Sequence, residues 1–323
     1  MSKIKTIKKL WMLNRRGFFV ACFNNLNHTK LFRWMSDKSF LTIAYWIHTG
    51  KRMDWKNPTS FTQKIQWLKL HDRNPELTRL VDKITAKEYV AQNIGVDFVI
   101  PTLGVWDKYD DIDFSKLPNQ FVLKTNNGSG SNGVVICRDK SRFDKREARK
   151  TLESSLKENT YYTLREWPYK DIPPCLFAET YIGEDKSSGV LQKDMTDYKF
   201  FCFGGDVRYC QVIKGRSSME TIEFFDTNWE RQDFIGLNPM AQQASVCTPR
   251  PKNYNTMLEV AHKLSKGFPF VRVDLYDSTE GVLFGELTFY PASGLGSFRP
   301  DEYDTIMGEL LKLPINEDAR HYE

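Results

Sequence analysis

FVRVDLYDSTEGVLFGELTFYP, residues 270–291, consists of two apolar-rich stretches joined by the polar turn Asp277 to Gly281. The two-residue period of a strand places Arg272 and Asp274 on one face of the first stretch, and Glu286 and Thr288 on one face of the second. The returning stretch sets Asp274 near Glu286, so the spacing predicts a hairpin with both carboxylates on one face. Two carboxylates from adjacent strands are the hard oxygen donors that Mg2+ prefers. An arginine beside them neutralises charge developing on a transferring phosphoryl group. A hairpin with one solvated, charged face is the plainer reading of the same residues.

Upstream, FVLKTNNGSGSNGVVICRDK at residues 121–140 has the same strand-turn-strand form around a glycine-rich turn. Gly128, Gly130 and Gly133 let backbone amides approach an anion closely, so the turn reads as a phosphate cradle or as an ordinary Gly/Asn/Ser hairpin. Walker A fails here, because Val134, Val135 and Ile136 follow the last glycine where Lys-Ser or Lys-Thr and a helix are needed. The G-x-G-x-x-G spacing of a dinucleotide fold fails for the same β-branched run, which continues as a strand. A protein-kinase glycine loop fits through Val135, but no H-R-D, D-F-G or V-A-I-K accompanies it. What is left is a strand carrying Lys124, a glycine loop and a second strand. That arrangement grips a triphosphate from two sides.

With 323 residues, 41% of them hydrophobic and 14% aromatic, the chain is long enough for two or three subdomains. Its longest apolar stretch, around Phe18 to Cys22, is too short to cross a bilayer, and no secretory leader pattern precedes it, so a cytosolic location is expected. Six cysteines without C-x-x-C or histidine companions suggest reduced, mostly buried thiols. Lys3, Lys5, Lys8, Lys9, Arg15 and Arg16 all precede the first acidic residue, Asp37, and alternate with apolar residues. Such a helix either lies on an anionic cytoplasmic membrane face or packs on the body of the protein. Nothing resembles a nucleic-acid module. Residues 1 to about 75 read as helical, with Thr59 or Ser60 as an N-cap, and Pro75 breaks the pattern before a second helix ending near Gly95. From FVIPTLGVW at 98–106 onward, short β-rich runs alternate with turns and helices, as in an α+β or α/β enzyme.

Taken in order, KIQWLKLHDRNP, the Asp82-Lys83 pair, VLKTNNGSGSNG, AETYI, DYKFFCFGG, RVDLY, GELTFYPASG and FRPDEYDTIMGELLKLP resemble the ATP-grasp superfamily. Within it they resemble the TupA-like branch named for teichuronopeptide biosynthesis, from about Thr59 to Pro314. The resemblance implies an α+β ATP-grasp fold, with the nucleotide held between two α+β subdomains. It divides the chain into a basic helical region (1–75), a linker portion (76–120), a subdomain with the glycine-rich loop (121–180), a subdomain with the metal site (181–314) and a tail (315–323). It implies Lys124 as a phosphate-contacting lysine, and Gly128, Ser129, Gly130, Ser131, Asn132 and Gly133 as a loop closing over the phosphates. Glu179, Thr180, Tyr181 and Ile182 are similar to the linker that frames adenine and ribose, where a carboxylate takes a ribose hydroxyl, and Lys199 resembles a second basic contact. Asp274 and Glu286 match the magnesium carboxylates, with Arg272 as the transition-state arginine. Thr288 departs from the usual asparagine, which puts its part as a direct metal ligand in question. Without the family, Glu179 reads as a solvated strand-end charge and Lys199 as a surface residue, while Tyr181, Phe200, Phe203 and Phe289 read as core.

The implied activity uses ATP and Mg2+ to activate a carboxylate as an acyl phosphate and couple it to an amine. The family setting suggests a uronic acid of a bacterial surface polysaccharide or its precursor as donor, and an amino acid or other amine as acceptor. A sugar or small-molecule kinase, and a glycosyltransferase using a nucleotide-sugar, are the rival classes.

Overall fold

The computed structural model describes residues 15–128, 133–183, 195–215, 220–238 and 241–315. Lys3, Lys5, Lys8, Lys9, four residues of the glycine-rich loop (Ser129, Gly130, Ser131, Asn132) and the tail from 316 lie outside that description. The described residues open with five helices: α1 (Arg15–His28), α2 (Asp37–Thr49), α3 (Phe61–His71), α4 (Glu76–Val81) and α5 (Lys83–Asn93). Ser60 is the cap of α3: its hydroxyl accepts from Gln63 N, and the Gln63 side chain reaches back in a capping box. Phe61, Ile65 and Leu68 then repeat at helical spacing and bury one face of α3 in the main core. The single helix expected between Pro75 and Gly95 is two helices. Asp82 is extended, and its carboxylate accepts from the amides of Ile84 and Thr85, ending α4 and starting α5.

Strands β1 (Thr102–Trp106), β2 (Phe121–Thr125), β3 (Val134–Cys137) and β4 (Leu176–Thr180) form an antiparallel sheet in the order β1-β4-β2-β3. The stretch 76–120, expected as a linker portion, thus contributes an edge strand, β1, paired with β4. Between β3 and β4 the chain forms α6 (Lys145–Leu156) and α7 (Thr160–Leu164). Phe121, Leu123, Leu176 and Ala178 share a core with Ala148 and Leu152 of α6. Because side chains alternate, Lys124 and Glu179 point away from that core, off the opposite face.

The second sheet is built from β5 (Asp197–Phe203), β6 (Asp206–Lys214), β7 (Thr221–Phe225), β8 (Arg231–Gln232), β10 (Phe270–Ser278) and β11 (Gly281–Thr288), in the order β11-β10-β5-β6-β7-β8. A two-stranded ribbon pairs β9 (Ile235–Gly236) with β12 (Phe298–Arg299). The helix α8 (Tyr254–Ser265) lays Met257, Val260, Ala261 and Leu264 on β10, β5 and β6. Each such fully buried apolar side chain contributes about 1.5–3 kcal/mol. With one face of β10 committed to α8 through Val271, Val273 and Leu275, Arg272 and Asp274 face the other way. The last helix, α9 (Tyr303–Leu310), packs on α3 and is tied to it by Asp304, which accepts from Thr62 N at 2.9 Å and Thr62 Oγ1 at 2.7 Å.

The antiparallel sheets and flanking helices make an α+β fold. Phe200, Phe203 and Phe289 are buried as expected, but Tyr181 is only half-buried, its hydroxyl accepting from Arg138 Nε at 3.3 Å. All six cysteines are free: Cys137, Cys202 and Cys210 are buried, Cys22 and Cys175 half-buried, and Cys247 exposed. Among the described residues no helix is long and apolar enough to cross a membrane.

Candidate functional site

The hairpin β10–β11 pairs Asp274 with Glu286 and Arg272 with Thr288, and on its other edge β10 pairs Asp274 with Lys199. A bulge just before Glu286 leaves Gly285 opposite no residue. A Cβ at that position would come within 3.1 Å of Asp274 O and of the Tyr276 ring, a tight contact that glycine avoids. The Arg272 guanidinium holds Asp274 in a fork: Nε donates to Oδ1 and Nη2 to Oδ2, both at 2.7 Å. Nη2 also reaches Thr288 Oγ1 at 2.9 Å and Glu286 Oε1 at 3.3 Å. Lys199 Nζ donates to Asp274 from the other side. With 4% of its surface exposed, Lys199 is no surface residue, because the carboxylate it neutralises is itself buried. Burial would raise the Glu286 carboxyl, but Lys199, Lys83 and Arg272 pull it down to about 2. Burial pushes Asp274 up against the pull of Arg272 and Lys199.

Facing this cluster, the first sheet presents Lys124 and Glu179. Glu179 is 3% exposed and sits between two lysines, with Oε1 on Lys124 and Oε2 on Lys87 Nζ at 2.7 Å. It is therefore a buried counter-ion, not a solvated strand end. Both its oxygens are committed to lysines, whereas the linker analogy expects them on a ribose hydroxyl. Burial raises the Glu179 carboxyl less than Lys124 and Lys87 lower it, so it lies below the usual carboxylate range. Thr180 ends β4 with its amide on Pro101 O at 3.0 Å, and Tyr181 and Ile182 follow in the connection out of the sheet.

Two lysines that the sequence reading left without a role complete the site. Lys83 and Lys87 stand one turn apart on α5. Lys83 Nζ donates to Gly128 O, its amide donates to Asn126 O at 3.2 Å, and its ammonium feels Glu286, Asp82 and Glu179. Burial lowers the pKa of both lysines. The available signals were the four-residue spacing and the Asp82-Lys83 start of the helix. Gly133, at the far end of the glycine loop, takes φ +72°, and a Cβ there would lie 2.9 Å from Ser155 Cβ, so the loop returns to β3 only through glycine. Lys83, Lys87, Lys124, Lys199 and Arg272 thus converge on Glu179, Asp274 and Glu286. Asp82, Asp197 and Glu166 also bear on these cations, so five cations and six carboxylates form one densely charged cluster between the sheets.

After β11 the chain enters the turn Pro291–Gly294, in which Ala292 and Ser293 hold φ of 46° and 55° without being glycine. The helix α3 holds them there. Gln66 Nε2 donates to Ser293 O at 2.8 Å and Gly294 O at 2.9 Å, and Lys69 Nζ reaches Ser293 O at 3.1 Å and Oγ at 2.9 Å. Burial lowers the Lys69 ammonium to about 8, although Glu166 and Asp37 pull the other way. The KIQWLKLH and PASG blocks of the sequence are thereby two halves of one support beside Glu286 and Thr288.

Asp274, Glu286 and the Thr288 hydroxyl are hard oxygen donors on one face, of the kind magnesium prefers, but both Asp274 oxygens accept from Arg272, one also from Lys199, and Thr288 Oγ1 takes Arg272 Nη2, so a metal ion there would displace these contacts. Asp111-Ile112-Asp113 has the D-x-D spacing that glycosyltransferases use, but Asp113 Oδ1 accepts from Ser115 N at 3.0 Å and from Ser115 Oγ at 2.6 Å as a local turn cap.

The family model described as TupA-like ATPgrasp matches residues 63–312. Among solved structures, a D-alanine–D-alanine ligase from Bacillus anthracis in complex with ATP aligns at 15% identity and a TM-score of 0.37, over 68% of this chain and 56% of that one. A RimK-domain ATP-grasp protein from Sphaerobacter thermophilus aligns at 13% identity and 0.38, over 73% and 69%. The ATP-grasp ligase PsnB with Mg and ADP aligns at 12% and 0.40, over 77% and 65%. The chain spans little more than half the length of the Bacillus ligase. No curated protein matches it in sequence. With the family model covering most of its length, this chain belongs to the TupA-like ATP-grasp family.

Proposed function

We propose that the protein is an ATP-dependent carboxylate–amine ligase that activates a carboxylate as an acyl phosphate, with Mg2+ held by Asp274 and Glu286. The observation carrying this reading is the convergence of five cations from two sheets and one helix on three buried or half-buried carboxylates. Lysines beside the glycine loop, with an arginine across from them, suit a polyphosphate. Bound magnesium would supply charge neutralisation at the phosphate oxygens. Lys83 and Lys124 hold the phosphates, Lys87 braces Lys124 through Glu179, Lys199 and Arg272 face the transferring group, and Thr288 positions the Arg272 fork. No protein nucleophile is required, so positioning and electrostatics provide most of the rate. In the family setting the donor is a uronic acid of a surface polysaccharide or its precursor, and the acceptor is an amino acid or another amine.

The test is ADP and phosphate release with magnesium and ATP, across uronic acids crossed with amino acids. The ligase needs both a carboxylate and an amine, and Lys124→Ala lowers turnover by about 10²–10³-fold, as loss of one preorganised donor does. Phosphorylated product without any amine replaces the ligase by a sugar or small-molecule kinase.

A peripheral location at an anionic membrane face is part of the same proposal. Phe19 of α1, Trp46 of α2 and Trp34 in the turn between them are 58%, 63% and 81% exposed, and they follow the basic start of the chain. Apolar anchors with basic residues, each contributing about 1 kcal/mol near such a surface, suit anionic lipid. The protein is expected to float with phosphatidylglycerol vesicles and not with phosphatidylcholine ones. Equal behaviour with both rejects the membrane role.

A further inference from the structure

A polar cavity of about 210 Å3 lies between Asn127-Gly128, at the foot of the glycine loop, and the segment Thr160–Glu166. It is smaller than the roughly 300–1,000 Å3 of pockets for larger ligands, which limits its occupant to a compact group. It adjoins the phosphate and metal cluster, since Gly128 O takes Lys83 Nζ and the Glu166 carboxylate lies within electrostatic reach of Arg272 and Glu286. Its lining is rich in acceptors. The Asn127 side chain is 6% exposed and donates through Nδ2 to Glu158 O at 3.2 Å, while its Oδ1 has no partner among the described residues. The Glu166 carboxyl already faces Lys69 and the Ser293 hydroxyl, and burial raises its pKa, so the orphan Asn127 acceptor and the remaining acceptor capacity of Glu166 suit a ligand with N–H donors.

One wall comes from outside the stretch that the family model matches. His28, at the end of α1, lines the cavity, and Asn27 Nδ2 donates to Thr163 O at 2.5 Å. The same segment is clamped to the N-terminal helices by Arg165, which is 2% exposed. Its Nη2 donates to Phe32 O at 2.8 Å, and its Nε lies 3.4 Å from Asp37. Asp37 also accepts from the Tyr161 hydroxyl at 2.7 Å.

We propose that this cavity is the subsite for the amine acceptor, with Glu166 and Asn127 Oδ1 receiving its N–H groups, and that the helices α1 and α2 shape it for a small primary amine. The inference rests on the ligase reading and locates its second substrate. In the coupling step the amine nitrogen forms a bond to the acyl carbon, the bond from that carbon to the phosphate oxygen breaks, inorganic phosphate leaves, and the amine's proton is released.

The test separates the two half-reactions in the full chain, with magnesium, ATP and glucuronate as the carboxylate probe. Hydroxamate formed with hydroxylamine reports activation. Phosphate release stimulated by each of the twenty amino acids or ethanolamine, set against the matching compound without the amino group, reports the acceptor. Glu166→Gln raises the KM of the stimulating amine at least tenfold while the KM for ATP moves less than twofold. Thr163→Leu, which fills the cavity, does the same, so the result does not depend on one variant folding. Amine KM values equal to wild type in both variants overturn the subsite. So does a wild type that forms hydroxamate yet responds to no primary amine. A wild type that forms no hydroxamate with any uronic acid removes the ligase reading and this inference with it.

Discussion

Arg272→Ala is expected to lower turnover by about three to five orders of magnitude, the range reported for arginines that stabilise a transferring phosphoryl group. The geometry shows why so much depends on one side chain. Its guanidinium makes two parallel 2.7 Å bonds to Asp274 and still points Nη2 at Glu286 and Thr288. Removal leaves Asp274 buried with Lys199 as its remaining ion-pair partner among the described residues, and leaves Glu286 facing it across the register pair. Breaking a buried pair of this kind also costs about 3–5 kcal/mol of stability. A purely structural role predicts the stability loss as well, so Arg272→Lys is the informative companion. Lysine restores the charge but not the fork. If Arg272 acts on the reacting phosphoryl group, the lysine variant recovers most of the melting temperature while kcat stays depressed. Recovery of both would reduce Arg272 to a counter-ion. ATP binding, measured by equilibrium dialysis, is expected to fall only a few-fold in either variant, because Lys83 and Lys124 are untouched.

The parts of this arrangement legible in the sequence are those that local periodicity dictates. Arg272 with Asp274, and Glu286 with Thr288, share faces because strand side chains alternate; the turn is tighter than the expected Asp277–Gly281, only Thr279 and Glu280 lying between the paired Ser278 and Gly281, and so short a loop leaves the returning strand little choice of register. The Gly285 bulge was hidden, since nothing in GVLFGELT distinguishes a bulged glycine from one in a regular strand. Ser60, one of the two N-cap candidates with Thr59, announced the start of α3 for a similarly local reason; the reciprocal Gln63 contact is seen only in the structure. Asp82 did not announce a break, because an aspartate preceded by Leu80-Val81 and followed by Lys83-Ile84 also fits a continuous amphipathic helix. Only its carboxylate on the amides of Ile84 and Thr85 settles the matter.

Long-range pairing accounts for what was missed. Glu179 and Lys199, read without the family, have the composition of surface charges. Their burial follows from partners 92 and 75 residues away, Lys87 and Asp274. Lys69 braces Ser293 across 224 residues, and neither position carries a local signal of that contact. Blocks such as KIQWLKLH thus acquire a physical meaning only in three dimensions. The helix supplies the amide and the ammonium that hold two non-glycine residues at positive φ beside the carboxylates. Such strained positions persist where surrounding structure over-determines them.

The second large effect is expected at Glu179. Glu179→Gln keeps the shape of the side chain but leaves the ammonium of Lys87 buried, and that of Lys124 half-buried, without their shared anion. The loss expected is about 3–5 kcal/mol, read as a lowered midpoint in urea unfolding at neutral pH. The pH dependence supplies an independent check. The folded-state pKa of Glu179 lies below its ordinary value of 4.5, so between those two values the unfolded chain binds more protons than the folded one. The stability contributed by the ionised carboxylate is therefore fully present above 4.5 and is lost as pH falls through the folded value. Glutamine cannot titrate, so the gap between wild type and variant should be constant from pH 8 to pH 6 and close progressively on acidification below 4.5. A gap that persists unchanged at pH 3 would mean that packing, not charge, makes Glu179 matter. Lys124 adds a functional consequence, since it is the member of the trio that also faces the phosphate site. Freed from Glu179, it keeps its charge but loses its fixed direction, so the variant's KM for ATP is expected to rise about tenfold even at temperatures where the fold is intact. Unchanged ATP kinetics in a destabilised variant would confine the trio to holding β4 against α5.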